Sequence, residues 1–161
     1  MNKIFITILA LFSALAIALP EDAGEPIEIN AHTVIIDEST GISEYTGDAQ
    51  VKQGSLFLSA EVIKVVTDNN EVLSVVAEGT KDKPAQYSQS QPNQPRFIEA
   101  IAQFITYDVV NGLVLLKGGA HLVQGFDSFS GETLDYDIIN DKVIVKGSED
   151  GTKRVKFKIK M

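Results

Sequence analysis

The sequence predicts an all-β chain folded as an elongated, twisted β-jelly-roll, a V-shaped two-sheet sandwich of short antiparallel strands built from a fourfold repeated unit. Three observations carry that expectation. Apolar residues alternate over short runs and hardly ever recur at helical spacing. One stretch of text is written twice. The phase of the apolar alternation flips at matching places in every copy.

The duplicated text is "VIIDESTGISEYTGDAQVKQG" (34–54) and "ITYDVVNGLVLLKGGAHLVQG" (105–125). The two agree at Asp37/Asp108, Gly41/Gly112, Gly47/Gly118, Ala49/Ala120, Gln53/Gln124 and Gly54/Gly125, always 71 residues apart. Each half divides again. A small residue stands at Ala31, Ala60, Ala102 and Gly131, an aspartate follows at Asp37, Asp68, Asp108 and Asp137, and a glycine closes the unit at Gly47, Gly79, Gly118 and Gly147. A unit of about thirty residues cannot cover its own apolar face and must lean on its neighbours, which is the logic of a stacked β-architecture.

In chain order the strand-like runs are "PIEINAHTVII", "SEYTGDAQVKQ", "LFLSAEVIKVVT", "EVLSVVAEG", "FIEAIAQFITYD", "GLVLLKGGAHLVQ", "DSFSGETLDYD", "DKVIVKG" and "RVKFKIK". The links "DESTG", "TDNNE", "DVVNG" and "INDK" carry the Asp, Asn and Gly that tight reversals require. An insertion, "KDKPAQYSQSQPNQPR" (81–96), separates the two halves; it is poor in apolar residues, holds three of the five prolines, and its tip at 88–95 reads as a mobile loop.

Before each small residue the apolar positions keep one parity (Ile27, Ile29; Leu56, Leu58) and after it the other (Val34, Ile36; Ile63, Val65). Side chains alternate strictly along a strand, so keeping one face inward across such a flip needs a bulge or corner. Four equivalent corners then fold the ribbon into two facing sheets.

The first residues, "MNKIFITILALFSALAIAL", place Lys3 before an apolar run and end in small residues at Ala14, Ala16 and Ala18. This is the pattern of a secretory signal peptide covering 1–18, cut after Ala18. An uncleaved anchor is the competing reading, since the run is about 16 residues long. Cleavage removes Lys3 and takes the net charge from −8 to −9. Such an anion is a poor partner for nucleic acid. The chain has no cysteine, so the fold must rest on its apolar core.

No residue set supports catalysis. Asp37, Asp108 and Asp137 head separate turns and read as turn caps; His32 and His121 lack ligand partners at metal spacing. Around Ser128 no nucleophile elbow is formed, and no phosphate loop occurs. The reading is therefore a non-enzyme without cofactor or metal. The inward stripe is more informative: Ile27, Ile29, Ile36, Tyr45, Val51, Leu58, Ile63, Val65, Tyr107, Leu116, Leu122, Phe129, Leu134 and Tyr136. In a closed sandwich these are core; if the sheets splay, they become an apolar trough for long acyl chains. At the ends, strands 27–36 and 154–160 lack caps and offer open sheet edges to another strand.

The segments "YTGDAQVKQGSL", "EGTKDKPAQY", "YDVVNGLVLLKG" and "FSGETLDYD" resemble the OstA-like domain of the periplasmic lipopolysaccharide transport protein A family, over residues 26–159. The resemblance implies a periplasmic β-jelly-roll that binds the lipid A portion of lipopolysaccharide. It further implies head-to-tail homo-oligomers that bridge an inner-membrane LptC-like protein at the N-terminal edge and an outer-membrane LptD-like translocon at the C-terminal edge. A membrane-anchored LptC-like component and a non-transporting envelope scaffold are the alternatives. The family's acyl-chain contacts fall here on inner-face positions Ile27, Ile29, Ile36, Tyr87, Tyr107, Val109 and Leu116. The stripe adds Val51, Leu58, Val65, Leu122, Phe129 and Tyr136. A chain of about twelve carbons strands ~8–10 kcal/mol of unfavourable hydration in water, so such a cargo needs a continuous apolar sheath.

Overall fold

The computed structural model describes residues 25–90, 97–137, 139–140 and 142–161. The expected signal peptide lies outside the described residues, as do positions 91–95 of the expected loop tip. No helix among the described residues is long and apolar enough to cross a membrane.

Among the described residues twelve strands follow one another, all paired antiparallel: β1 (Ile27–Asn30), β2 (Thr33–Asp37), β3 (Ile42–Gln53), β4 (Leu56–Asp68), β5 (Glu71–Glu78), β6 (Ala85–Ser90), β7 (Phe97–Ala102), β8 (Phe104–Asp108), β9 (Leu113–Gln124), β10 (Asp127–Asp137), β11 (Lys142–Lys146) and β12 (Lys156–Lys158). Four of them, β3, β4, β9 and β10, run through both sheets. Sheet A is β1, the second half of β3, the first half of β4, β6, β7, the second half of β9, the first half of β10 and β12. Sheet B is β2, the first half of β3, the second half of β4, β5, β8, the first half of β9, the second half of β10 and β11. The molecule is thus a stack of eight rungs, each bent once.

The bend explains the repeat. Every small residue and every closing glycine picked out by the sequence sits at or beside a corner, so there are eight corners and not the four that parity alone indicated. One unit is a corner, a sheet B hairpin and a second corner. In β3 and β10 the ladder register shifts there, between Thr46 and Ala49 and between Gly131 and Thr133. At Gly47 (φ +85) and Gly118 (φ +83) a Cβ would meet the Cβ of His32 at 2.6 Å and of Gln103 at 2.9 Å, so successive corners stack too closely for a side chain. Backbone bonds lock them: His32 N–H donates to Thr46 and Gly47 carbonyls, and Gln103 N–H to Gly118 carbonyl at 2.9 Å.

Inside the corners runs a ladder of small side chains. Ala49 faces Ala60, Ala85 faces Ala102, and Ala120 faces Gly131, with all five alanines buried. The sheets converge here, and methyl groups fill the narrow seam. Away from it the core widens to Tyr45, Val51, Leu58, Ile63, Val65, Leu116, Leu122 and Leu134.

Three expectations need correcting. The single strand 27–36 is two strands with a corner at Ala31–His32, because the parity flip falls inside it. The last strand is Lys156–Lys158, shorter than 154–160. Residues 85–90 of the insertion form a regular strand paired to both β4 and β7, so 88–90 are not loop. Its inward positions include Gln89, a polar residue that hides the apolar alternation.

The aspartates act as the turn caps expected of them. Asp37 accepts from Ser39 and Thr40, while Asp108 and Asp137 accept from the backbone and side-chain amides of Asn111 and Asn140. Those side-chain hydrogen bonds hold all three carboxyls below their ordinary range. Asp68 differs: its hairpin turns through Asn69 and Asn70, both at positive φ.

Candidate functional site: the lining between the sheets

Cross-strand pairing converts the inward stripe into continuous rows. On sheet A one row reads Ile29, Val51, Leu58, Tyr87, Ala100, Leu122, Phe129 and Phe157. Facing it on sheet B is a row of Ile36, Ser43, Val65, Val75, Tyr107, Val114, Tyr136 and Val143. Leu116 lies one row nearer the seam, between Ile105 and Leu134. Ile27 lies one row further out, opposite Gln53. Val109 alone is off the strands; its N–H donates to Leu73 carbonyl and its side chain packs on the core.

The candidate lining is therefore one surface, but it is not an open trough along its length. Val51, Leu58, Val65, Leu116 and Leu122 are fully buried, since the middle rungs have neighbours on every side. Ile27, Ile29, Tyr87, Tyr107, Val109, Phe129 and Tyr136 are half-buried. The terminal rungs open up: Ile36 is 37% exposed on β2 and Phe157 69% exposed on β12, each facing inward with no rung beyond it.

Polar atoms within this lining are few and were missed by reading the alternation alone. Gln53 and Gln89 are 2% and 1% exposed. Tyr87 hydroxyl donates to Gln89 Oε1 at 2.7 Å. Tyr107 hydroxyl is buried with no hydrogen-bond partner among the described residues, and burial, helped by the Asp108 charge, pushes it up to about 12. The polar inward pair Gln53/Gln124 was visible as a repeat match, which was the available signal.

Outside the seam there is a recess of about 140 Å³ lined by Asp48, Gln50, Ser59, Lys83, Pro84 and Gln86 over Ala49 and Ala60. It is smaller than the few hundred Å³ of ordinary ligand sites and faces away from the lining. Lys83 and Asp48 pair across its rim, both well exposed. His121 Nδ1 lies 2.6 Å from Ser130 Oγ on the outer face of sheet A, in the row between Ile101 and Lys156; Ser128 pairs across strands with Val123 and Lys158. Among the described residues no three His, Asp or Glu converge to hold a metal.

These features define a two-sheet β-jelly-roll with an apolar interior that is sealed in the middle and exposed at both ends. The chain belongs to the family described as LptA/(LptD N-terminal domain) LPS transport protein, whose model matches residues 28–156. It is 34% identical to the lipopolysaccharide export system protein LptH of Pseudomonas aeruginosa over 78% of this chain and 70% of that protein. With the lipopolysaccharide export system protein LptA of Escherichia coli K12 it shares 27% identity over 83% of this chain and 74% of that one. The crystal structure of LptH, described as the LptA homologous periplasmic component of the lipopolysaccharide transport device of P. aeruginosa, superposes with a TM-score of 0.71. That match has 27% identity and covers 88% of this chain and all of that one.

Proposed function

We propose that this chain is a periplasmic carrier of lipopolysaccharide, exported by residues 1–18, whose domain (26–159) holds acyl chains between its two sheets. One observation carries the reading: two facing apolar rows run the length of the stack and stay exposed on the terminal rungs, in a family named for this transport. The protein does no chemistry on its cargo. It supplies an apolar path, and directed movement needs energy from elsewhere.

The same reading extends to assembly. Rungs alternate in direction, and the eighth runs opposite to the first, so a second copy stacked end to end continues the antiparallel ladder. The rims match in kind. On sheet A, β12 offers outward Lys156 and Lys158 and inward Phe157, whereas β1 offers outward Glu28 and inward Ile27 and Ile29. On sheet B, β11 presents Lys142, Ile144 and Lys146 outward against Thr33, Ile35 and Asp37 of β2. Copies thus join head to tail, with an LptC-like partner at the N-terminal rung and an LptD-like partner at the C-terminal rung of a bridge between the membranes.

A photo-crosslinking side chain at Ile36 or Tyr107 is expected to label lipopolysaccharide, while one at outward-facing Thr106 is not. Absence of labelling from both inward sites contradicts the carrier reading.

A further inference from the structure

One inward row has a composition unlike the others. At the free end of sheet A, the outermost inward position reads Ile27, Gln53, Leu56, Gln89, Ile98, Gln124 and Asp127 across consecutive rungs, with the carboxylate of Asp127 on the strand opposite Gln124. Gln89 falls opposite Leu56 by continuation of the Phe57–Ser88 register. A carboxamide therefore recurs on every second strand, at intervals of about 10 Å. The next row towards the seam contains no carboxamide or charge.

Burying amides this deeply is costly unless they are paired. Gln53 Nε2 donates to Glu25 carbonyl at 3.2 Å, but its Oε1 is buried with no hydrogen-bond partner among the described residues. An unused buried acceptor calls for a donor. A cargo bearing a hydroxyl group can bring one, and hydrocarbon alone cannot.

We propose that this row is a polar rail that reads hydroxyl groups near the head end of an acyl chain, with Gln53 Oε1 accepting the hydroxyl hydrogen and Gln124 offering a further station. Depth fixes where the hydroxyl sits: the rail borders the free edge of the sheet and the apolar row lies below it. The chain hydroxyl is thus close to the junction with the polar head, while the tail runs towards the seam. The inference rests on the carrier reading and adds a preference to it, since unsubstituted chains leave Gln53 Oε1 unpaired.

The test compares two glucose monoesters, one tetradecanoyl and one 3-hydroxytetradecanoyl, in equilibrium binding to the full chain. The native protein is expected to prefer the hydroxylated ester by about fivefold, the worth of one hydrogen bond. Gln53→Leu is expected to bind the two esters equally, and outward-facing Gln50→Leu retains the preference. Circular dichroism checks the fold; if Gln53→Leu does not fold, Gln124→Leu, at a half-buried position, gives the same readout. Equal affinities in the native protein, or a preference surviving both Gln53→Leu and Gln124→Leu, overturn the rail alone. If neither ester binds, the carrier reading falls with it.

Discussion

Ile36 and Leu58 face the same interior, yet a charge at the two positions has different consequences. Leu58 is 6% exposed with neighbouring strands on both sides, so Leu58→Asp buries a carboxylate without a partner and costs more than ~3 kcal/mol in denaturant melts. Ile36 stands on the terminal rung, where water reaches the new carboxylate. Ile36→Asp is expected to keep native circular dichroism and lose lipopolysaccharide binding; an unfolded Ile36→Asp protein would contradict an open N-terminal end. Tyr107 gives a second residue-level expectation. Its hydroxyl is raised from 10.0 to about 12, so folding is favoured while it is neutral and loses that contribution as pH climbs from 10 towards 12. In an ultraviolet titration, Tyr107→Phe should delete the late-ionising phenol and reduce loss of stability in that window.

At the scale of the element, the corner is the unit of construction. Gly118→Ala places a methyl 2.9 Å from Gln103 Cβ at a φ of +83, and is expected to cost about 1–3 kcal/mol in thermal melts. The sheet B hairpins respond to acid. Asp37, Asp108 and Asp137 are all lowered by side-chain hydrogen bonds, as is Asp150, to about 2, in the turn between β11 and β12. Their contribution is present above the ordinary carboxylate pKa and is lost as pH falls below about 4, so Asp108→Ala should flatten the acid limb of a stability profile. The turns and corners were readable because each depends on a residue type: an Asx cap, a glycine at positive φ, a parity flip. Two things were not. The corners at Gly47 and Gly118 keep one inward parity, from Tyr45 to Ala49 and from Leu116 to Ala120, so no flip marks them; β5 and β6 are separated by residues 79–84, so the corner there leaves no continuous alternation. And residues 88–90 of β6 were read as loop because "AQYSQS" places glutamine where apolar residues mark an inward face.

At the scale of the whole molecule, the repeat builds length. Each rung adds one inward position to each of the two rows, and the even number of rungs leaves two rims that can continue the ladder in a second copy. Cysteines placed on β2 of one copy and β11 of another are expected to form an intermolecular disulfide, whereas two β2 cysteines are not; the reverse pattern would mean that the copies meet head to head. The lining itself was legible as residues but not as a state. Alternation shows which side chains point inward, and it is silent on how far apart the sheets stand. The structure has the central rungs packed, with Leu116 and Val65 sealed, so a guest along the full path must separate sheet A from sheet B.

That separation can be measured between spin labels at Lys52, near the free end of sheet A, and Glu71, at a hairpin of sheet B, both exposed. The distance should lengthen when lipopolysaccharide binds and return when it is removed. A saturated complex with an unchanged distance would place the lipid outside the two sheets and contradict the account.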